Sequence, residues 1–237
     1  MSESPRVFAI SDLHLPGGSD NKSMDLFGVR WQAHFHQIKE DWMSKVGEGD
    51  IVLIPGDISW AMRLEDALED LHAIGRLPGS KVLIKGNHDY WWSAISRIRA
   101  ALPQGVYALQ NDAVALGGLV FCGTRGWNQP GSESEDPQEQ KIYQRELARL
   151  ELSLKEGRKL DPTGPLTALC HYPPLSGRGE DTPVTALLQR YGVRDAVFGH
   201  LHGYACTAGF SGLKNGVRYW FASCDCVDFK LIRLNGE

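Results

Sequence analysis

Five times in this chain a short apolar run stops at a residue type that binds metal. Val7-Phe8-Ala9-Ile10 runs into Asp12-Leu13-His14, and Ile51-Val52-Leu53-Ile54 into Gly56-Asp57. Lys81-Val82-Leu83-Ile84-Lys85 leads to Gly86-Asn87-His88-Asp89, Leu166-Thr167-Ala168-Leu169-Cys170 to His171, and Ala196-Val197-Phe198 to Gly199-His200-Leu201-His202. Apolar runs of this length bounded by Gly and polar residues read as buried strands. In open α/β sheets, ligands collect outside the carboxyl ends of strands. The pattern therefore calls for an α/β chain whose strand ends share one site.

Helical periodicity fills the intervals. Trp31, Phe35, Ile38, Trp42 and Val46 make one apolar stripe over residues 30–46, and Leu64, Leu68 and Leu71 another over 61–74. His34 and His36 are placed on the surface of the first helix, and His72 on the second is read as structural. Tyr90-Trp91-Trp92 is read as opening a helix that runs to about Ala101. Val106–Leu109, Ala113–Leu116 and Leu119–Cys122 then suggest a meander, with Gly117-Gly118 as a hairpin turn. A charged helix is expected over Gln138–Leu154, a short one over Val184–Tyr191, and two closing strands, Gly216–Phe221 and Asp228–Leu234, as an antiparallel pair. The loops at 16–30, 123–140 and 172–182 are long enough to border a site. No internal repeat or linker divides the chain, so residues 1–237 are read as a single domain.

A formal charge of −4 disfavours a general electrostatic grip on nucleic acid. No apolar run approaches the roughly 18 residues of a membrane span, and no secretory segment is evident, so a cytoplasmic location without a membrane partner is expected. The five cysteines contain no C-x-x-C pair, and Cys224-Asp225-Cys226 is a lone C-x-C. They read as reduced structural thiols.

The chemistry follows from the donor types. Asp12 and His14, and likewise His200 and His202, are two apart, which on an extended chain turns both side chains to one face. Asp57 and Asn87 add oxygen, and His171 adds nitrogen. A mixed N/O set without thiolate suits Mn, Fe, Zn, Co or Ni better than Mg or Ca. Asp12, His14, Asp57, Asn87, His171, His200 and His202 can hold two divalent ions if one carboxylate bridges. Two such ions leave a positive centre for a phosphate group and lower the pKa of water. His88 remains as a proton donor to a leaving oxygen, with Asp89 to orient it. Arg125 and Arg178, each in a long loop, are candidate phosphate-binding residues. A purely structural polar network is the bland alternative, but buried charges rarely help stability.

The set Asp12-x-His14, Gly56-Asp57, Gly86-Asn87-His88-Asp89, His171 and Gly199-His200-x-His202 resembles the calcineurin-like metallophosphoesterase superfamily, with motifs spanning residues 12–202. The resemblance implies a four-layer α/β/β/α sandwich of two mixed β-sheets flanked by helices. It implies one ion on Asp12, His14, Asp57 and His202, and another on Asp57, Asn87, His171 and His200. His88 takes the family's catalytic position and Asp89 its orienting partner. Trp60 stands where many members carry an Asp and purple acid phosphatases a metal-binding Tyr, so the resemblance does not extend to a ferric–tyrosinate centre. The expected activity is hydrolysis of a small phosphodiester or phosphomonoester by in-line attack of a metal-bound hydroxide, with Mn foremost. A nuclease on the same fold is the runner-up. A non-catalytic protein-binding scaffold is the third reading, which the intact ligand set opposes.

Overall fold

A computed structural model describes residues 4–18, 24, 28–129 and 136–235. Strands β1 (Val7–Ala9), β2 (Ile51–Ile54), β3 (Ser80–Leu83) and β4 (Val106–Ala108) lie side by side in parallel. The second sheet contains β5 (Ala113–Leu116), β6 (Leu119–Thr124), β7 (Leu166–Cys170), β8 (Val193–Phe198), β9 (Gly212–Lys214) and β10 (Val217–Phe221), in the order β5-β6-β7-β8-β10-β9. From β6 through β7 and β8 to β10 the pairing is parallel, and both edge strands are antiparallel. Strand β11 (Ile232–Arg233) returns to the first sheet, antiparallel to β1.

The period-2 alternation of the strands explains the layers. Val7, Ala9, Ile51, Leu53, Val82 and Ile84 point one way and meet Phe121, Leu169 and Val197 of the other sheet. Phe8, Ile10, Val52, Ile54 and Leu83 point the other way, toward α1 (His34–Lys45), α2 (Leu64–Gly75) and α3 (Ile95–Ala101). Leu166, Ala168, Ala196, Phe198, Val217 and Tyr219 face α4 (Pro137–Leu160) and α5 (Pro183–Arg190). Three apolar layers thus hold a four-layer α/β/β/α sandwich, as expected. Local chemistry sets the helix starts. Pro137 follows an Asp136 cap, and Thr182, just before Pro183, forms a reciprocal capping box with Thr185.

Several expectations change. The helix expected over 30–46 is broken: a 3-10 turn at Val29–Trp31 precedes α1, with Ala33 left-handed between them. His34 is not on the surface but buried, its Nε2 2.7 Å from the carbonyl oxygen of Leu13; His36 is exposed. Tyr90–Trp92 forms turns rather than helix, because Asp89 engages the Trp92 N–H with its carbonyl and the Trp91 indole with its carboxylate. The meander does not form: β4 completes another strand–helix–strand unit on the first sheet, and of these three strands β5 and β6 alone make a hairpin. The closing strands part company, since β10 pairs with β8 and β11 with β1 in the opposite sheet. Helix α4 extends to Leu160, past the expected end. Cys206 and Cys226 are joined by a disulfide, which corrects the all-thiol reading; Cys122, Cys170 and Cys224 are free and buried. Parts of the loops at 16–30 and 123–140 lie outside the described residues. Among the described residues no helix is long and apolar enough to cross a membrane.

Candidate metal centre

Every strand that feeds the site ends on the same side of the sandwich. Asp12 follows β1, Asp57 β2, Asn87 β3, His171 β7 and His200 β8. Backbone bonds lace these ends together across the two sheets. Ser11 N–H donates to the Ala222 carbonyl (2.7 Å) and Cys224 N–H to the Ser11 carbonyl (3.0 Å). Asp12 N–H reaches Gly56 O (3.1 Å), and Gly199 N–H reaches His171 O (3.1 Å).

The chain at these ends is not extended. Asp12 (φ 60°), His14 (φ 45°), Asp57 (φ 51°) and His200 (φ 75°) are left-handed, so the same-face argument for residues two apart does not apply. The tertiary lacing aims these side chains instead. Left-handed non-glycine residues cost about 1–3 kcal/mol each and persist where surrounding structure over-determines them, as at functional sites. Gly86 is needed for close approach: a Cβ there would collide with Asp57 Oδ1 and its backbone nitrogen.

All seven expected ligands converge. His14 Nε2 lies 3.3 Å from His202 Nε2, and His202 Nε2 3.4 Å from Asp12 Oδ1. On the other side, Asn87 Oδ1 is 2.6 Å from His171 Nε2 and 2.9 Å from His200 Nδ1. Asp57 sits between, its Oδ2 3.4 Å from His171 Nε2 and 3.8 Å from His14 Nε2. Donor atoms of Asp12, His14 and His202, and of Asp12, Asp57 and His171, lie within 4.8 Å of one another. These are borderline and hard donors facing inward at close range, a set that fits divalent ions.

The outer contacts fix which ring nitrogen faces the centre. His171 Nδ1 is 3.0 Å from the Pro55 carbonyl, so its Nε2 is the inward lone pair. His202 Nδ1 is 2.8 Å from Asp225 Oδ1, leaving Nε2 for the centre. Asp225 Oδ2 also accepts from Gly203 N–H (2.9 Å). Ser223 Oγ and His200 N–H both donate to Asp12 Oδ2, at 2.9 and 3.0 Å. The sequence reading missed Asp225 and Ser223, although they follow β10 as the other ligands follow their strands. Aromatic rings wall the site: Trp60 stacks on His14 with centroids 4.9 Å apart, Trp31 lies 5.8 Å from His202, and Tyr172 lies 4.0 Å from His200.

Electrostatics separate the histidines. Burial lowers His14 to about 4 despite Asp57 and Asp12 nearby, and burial with His171 alongside lowers His200 to about 4. Burial opposes the charged form of His202 too, yet the Asp12 and Asp225 carboxylates prevail and raise it to about 10. Asp12 and Asp57 are held below the usual carboxylate range: burial opposes this, and the surrounding histidines outweigh it.

The remaining candidates divide. His88 stands beside the cluster, its ring centroid 5.7 Å from His14 and 4.6 Å from Trp60, and its buried Nδ1 has no hydrogen-bond partner among the described residues. Among the described residues no hydrogen bond joins the Asp89 carboxylate to it. The Asp89 carboxylate accepts from Ile58, Ser59 and Gly86 N–H and from the Trp91 indole, at 2.8–3.1 Å. It is the clamp of the turn, and burial with Asp57 nearby raises its pKa to about 6. Arg125 lies on the flank, over the Trp127 ring (4.7 Å), and its carbonyl accepts from His171 and Tyr172 N–H, both at 3.0 Å. Arg178 is exposed, with no hydrogen bond or ion pair to the cluster among the described residues.

Comparison with known proteins supports the same picture. A crystal structure of phosphopantetheinyl hydrolase from Mycobacterium tuberculosis is similar with a TM-score of 0.59 at 14% identity, covering 100% of this chain and 98% of that one. A protein of unknown function from Aquifex aeolicus is similar with a TM-score of 0.52 at 16% identity, over 97% and 95% of the two chains. At such identities the likeness speaks for the fold alone. A comparison with curated proteins gave no match. The model of the family described as calcineurin-like phosphoesterase matches residues 5–204. With that match over most of its length, and the family's ligand types converging at the strand ends, this chain belongs to the calcineurin-like phosphoesterases.

Proposed function

We propose that this phosphoesterase holds a pair of divalent ions, manganese foremost, and hydrolyses a small phosphomonoester or phosphodiester, the whole chain acting as one catalytic domain. The position of Asp57 carries the reading. Its Oδ2 lies 3.8 Å from His14 Nε2 and 3.4 Å from His171 Nε2, within reach of histidines from both proposed ligand sets. Asp12, His14, Asp57 and His202 would hold one ion; Asp57, Asn87, His171 and His200 would hold the other. Such ions polarise phosphoryl oxygens and make water a better nucleophile.

The chain's own groups do the rest. Asp225 and the Pro55 carbonyl keep His202 and His171 in the tautomer that presents Nε2. Trp60 and Tyr172 limit how the rings of His14 and His200 swing and keep bulk water from their faces. His88, half-buried at the edge of the cluster, supplies a proton to the departing ester oxygen.

The test is a metal assay and a substrate panel. Protein reloaded with Mn should retain a pair of ions per chain. It should then hydrolyse at least one of an aryl monoester, an aryl diester or a phosphopantetheine ester. No hydrolysis with Mn, Fe, Zn, Co or Ni across a pH series overturns the proposal. Salt-dependent cleavage of oligonucleotides instead would favour the nuclease reading, and failure to retain ions the scaffold. His88→Ala should keep its metal and lose about 10²–10⁴ in kcat on esters with poor leaving groups; full activity would remove His88 from the chemistry.

A further inference from the structure

A second cavity, of about 200 Å³, opens beside the metal centre between the carboxyl ends of β3 and β6. Its lining includes Lys85, Gln110, Asn111, Arg125, Glu146 and Arg149. Two short stretches of chain tie its lining to the centre. Lys85 lies two residues before Asn87, and the Arg125 carbonyl is held by the backbone N–H groups of His171 and Tyr172.

The charges in this cavity do not balance. Glu146 is its only lining carboxylate, and that group is occupied. Its Oε1 receives Arg149 (2.6 Å) and Arg125 (3.4 Å), and its Oε2 receives the Thr124 hydroxyl (3.0 Å). Lys85 is half-buried and has no hydrogen bond or ion pair among the described residues. Asp89, buried behind Lys85, adds a second carboxylate to the account, so three cations against two carboxylates leave one positive charge in a partly dehydrated recess. Glu146 accounts for Arg149 and Arg125, but Lys85 has no such partner among the described residues, and mutual repulsion of half-buried cations works against stability. An arriving anion would resolve the imbalance, since guanidinium and ammonium donors bind carboxylate and phosphate oxygens strongly. The volume is below the roughly 300 Å³ at which sites for whole small molecules begin. It suits one anionic group rather than a complete ligand.

We propose that this cavity binds a second anionic group of the substrate, a phosphate or carboxylate remote from the ester that is cleaved. The preferred substrates are therefore small phosphoesters with an anionic tail, which Lys85 and Arg149 grip while the ester lies at the metal centre. The proposal rests on the phosphoesterase reading and narrows its substrate class.

The experiment compares aryl phosphates identical except for a remote substituent: neutral, carboxylate or phosphate. On the Mn-loaded enzyme, an anionic tail should raise kcat/KM about tenfold or more, chiefly through KM. The two charged tails show which anion is preferred. Lys85→Met and Arg149→Gln should each bring the ratio of charged to neutral substrate toward one, and Lys85→Arg should restore it. Arg97→Gln, a surface cation outside the cavity, should leave the ratio alone. A wild-type ratio near one, or a ratio that survives both Lys85→Met and Arg149→Gln, overturns the proposal. A second readout needs no turnover: acylation of Lys85, followed by peptide mass spectrometry, with aryl phosphonates carrying or lacking the anionic tail. Protection by the charged phosphonates alone supports the cavity; equal or absent protection refutes it. If no ester is hydrolysed, the phosphoesterase reading fails, and the labelling result judges the cavity by itself.

Discussion

Asp225→Ala should weaken one metal ion and spare the other. The Asp225 side chain is 7% exposed, and its two oxygens divide their work between His202 Nδ1 (2.8 Å) and Gly203 N–H (2.9 Å). Without it, the His202 ring loses the partner that sets its tautomer and direction. Outer partners of this kind are worth about 10–100-fold in metal affinity, or about 1.4–2.7 kcal/mol. Gly203 is exposed, so water replaces the carboxylate on its N–H, and little folding stability is lost. Asp225→Asn keeps an acceptor and should sit at the lower end of the range. The assay is calorimetric titration of Mn into chelator-treated protein, with thermal unfolding alongside. The weakened step should be the ion held by His202, while the group with Asn87, His171 and His200 keeps its affinity. The pH dependence adds a check. His202 is raised to about 10 in the metal-free protein, so an ion displaces a proton below that pH, and affinity should climb as pH rises. The same raised pKa stabilises the metal-free fold fully below about 6.5 and loses that contribution as pH rises through about 10. Asp225→Ala should make both slopes shallower. Wild-type affinity at both sites, or equal loss at both, would refute the argument.

Gly86→Ala should cost both ions, because its new Cβ collides with Asp57, the carboxylate proposed to bridge them; full metal content by elemental analysis would contradict this. Asp70, buried beside Ser59 Oγ (2.5 Å) and Gly17 N–H (2.8 Å), is raised to about 6 by burial. Its contribution to stability is present below about 3.8 and lost as pH rises through about 6. Asp70→Asn should therefore gain in Tm on the wild type between pH 5 and pH 8, and parallel Tm profiles would refute it. Reducing the Cys206–Cys226 bridge, which spans a sequence separation of 20, should cost about 3 kcal/mol. Denaturant midpoints with and without reductant measure it; coincident curves would contradict the estimate.

The layers of this protein could be read from residue order because burial on both faces of a strand leaves a compositional trace. Val7–Ile10 and Ile51–Ile54 are apolar throughout and Leu166–Cys170 is so except for Thr167, and each stands as a strand between a helix layer and the facing sheet. The ligand types at the ends of those runs were legible for the same reason, since donor chemistry belongs to the side chain. Partner choice among strands was not. Whether β4 continues the first sheet or β10 joins β8 depends on contacts between distant segments, which local pattern does not encode. The break before α1 escaped notice because its apolar stripe continues across left-handed Ala33.

Aim was also invisible. The left-handed backbones of Asp12, His14, Asp57 and His200 come from hydrogen bonds between strand ends far apart in the chain, not from any preference of those residues for one face. Asp89 shows the limit most plainly: its neighbour in sequence is His88, yet its oxygens are taken by Ile58, Ser59, Gly86 and Trp91. Asp225 shows the converse, lying 23 residues from the histidine it holds. Donor identity is a local property and survives in the order of residues; which donor meets which partner is settled only when the two sheets pack.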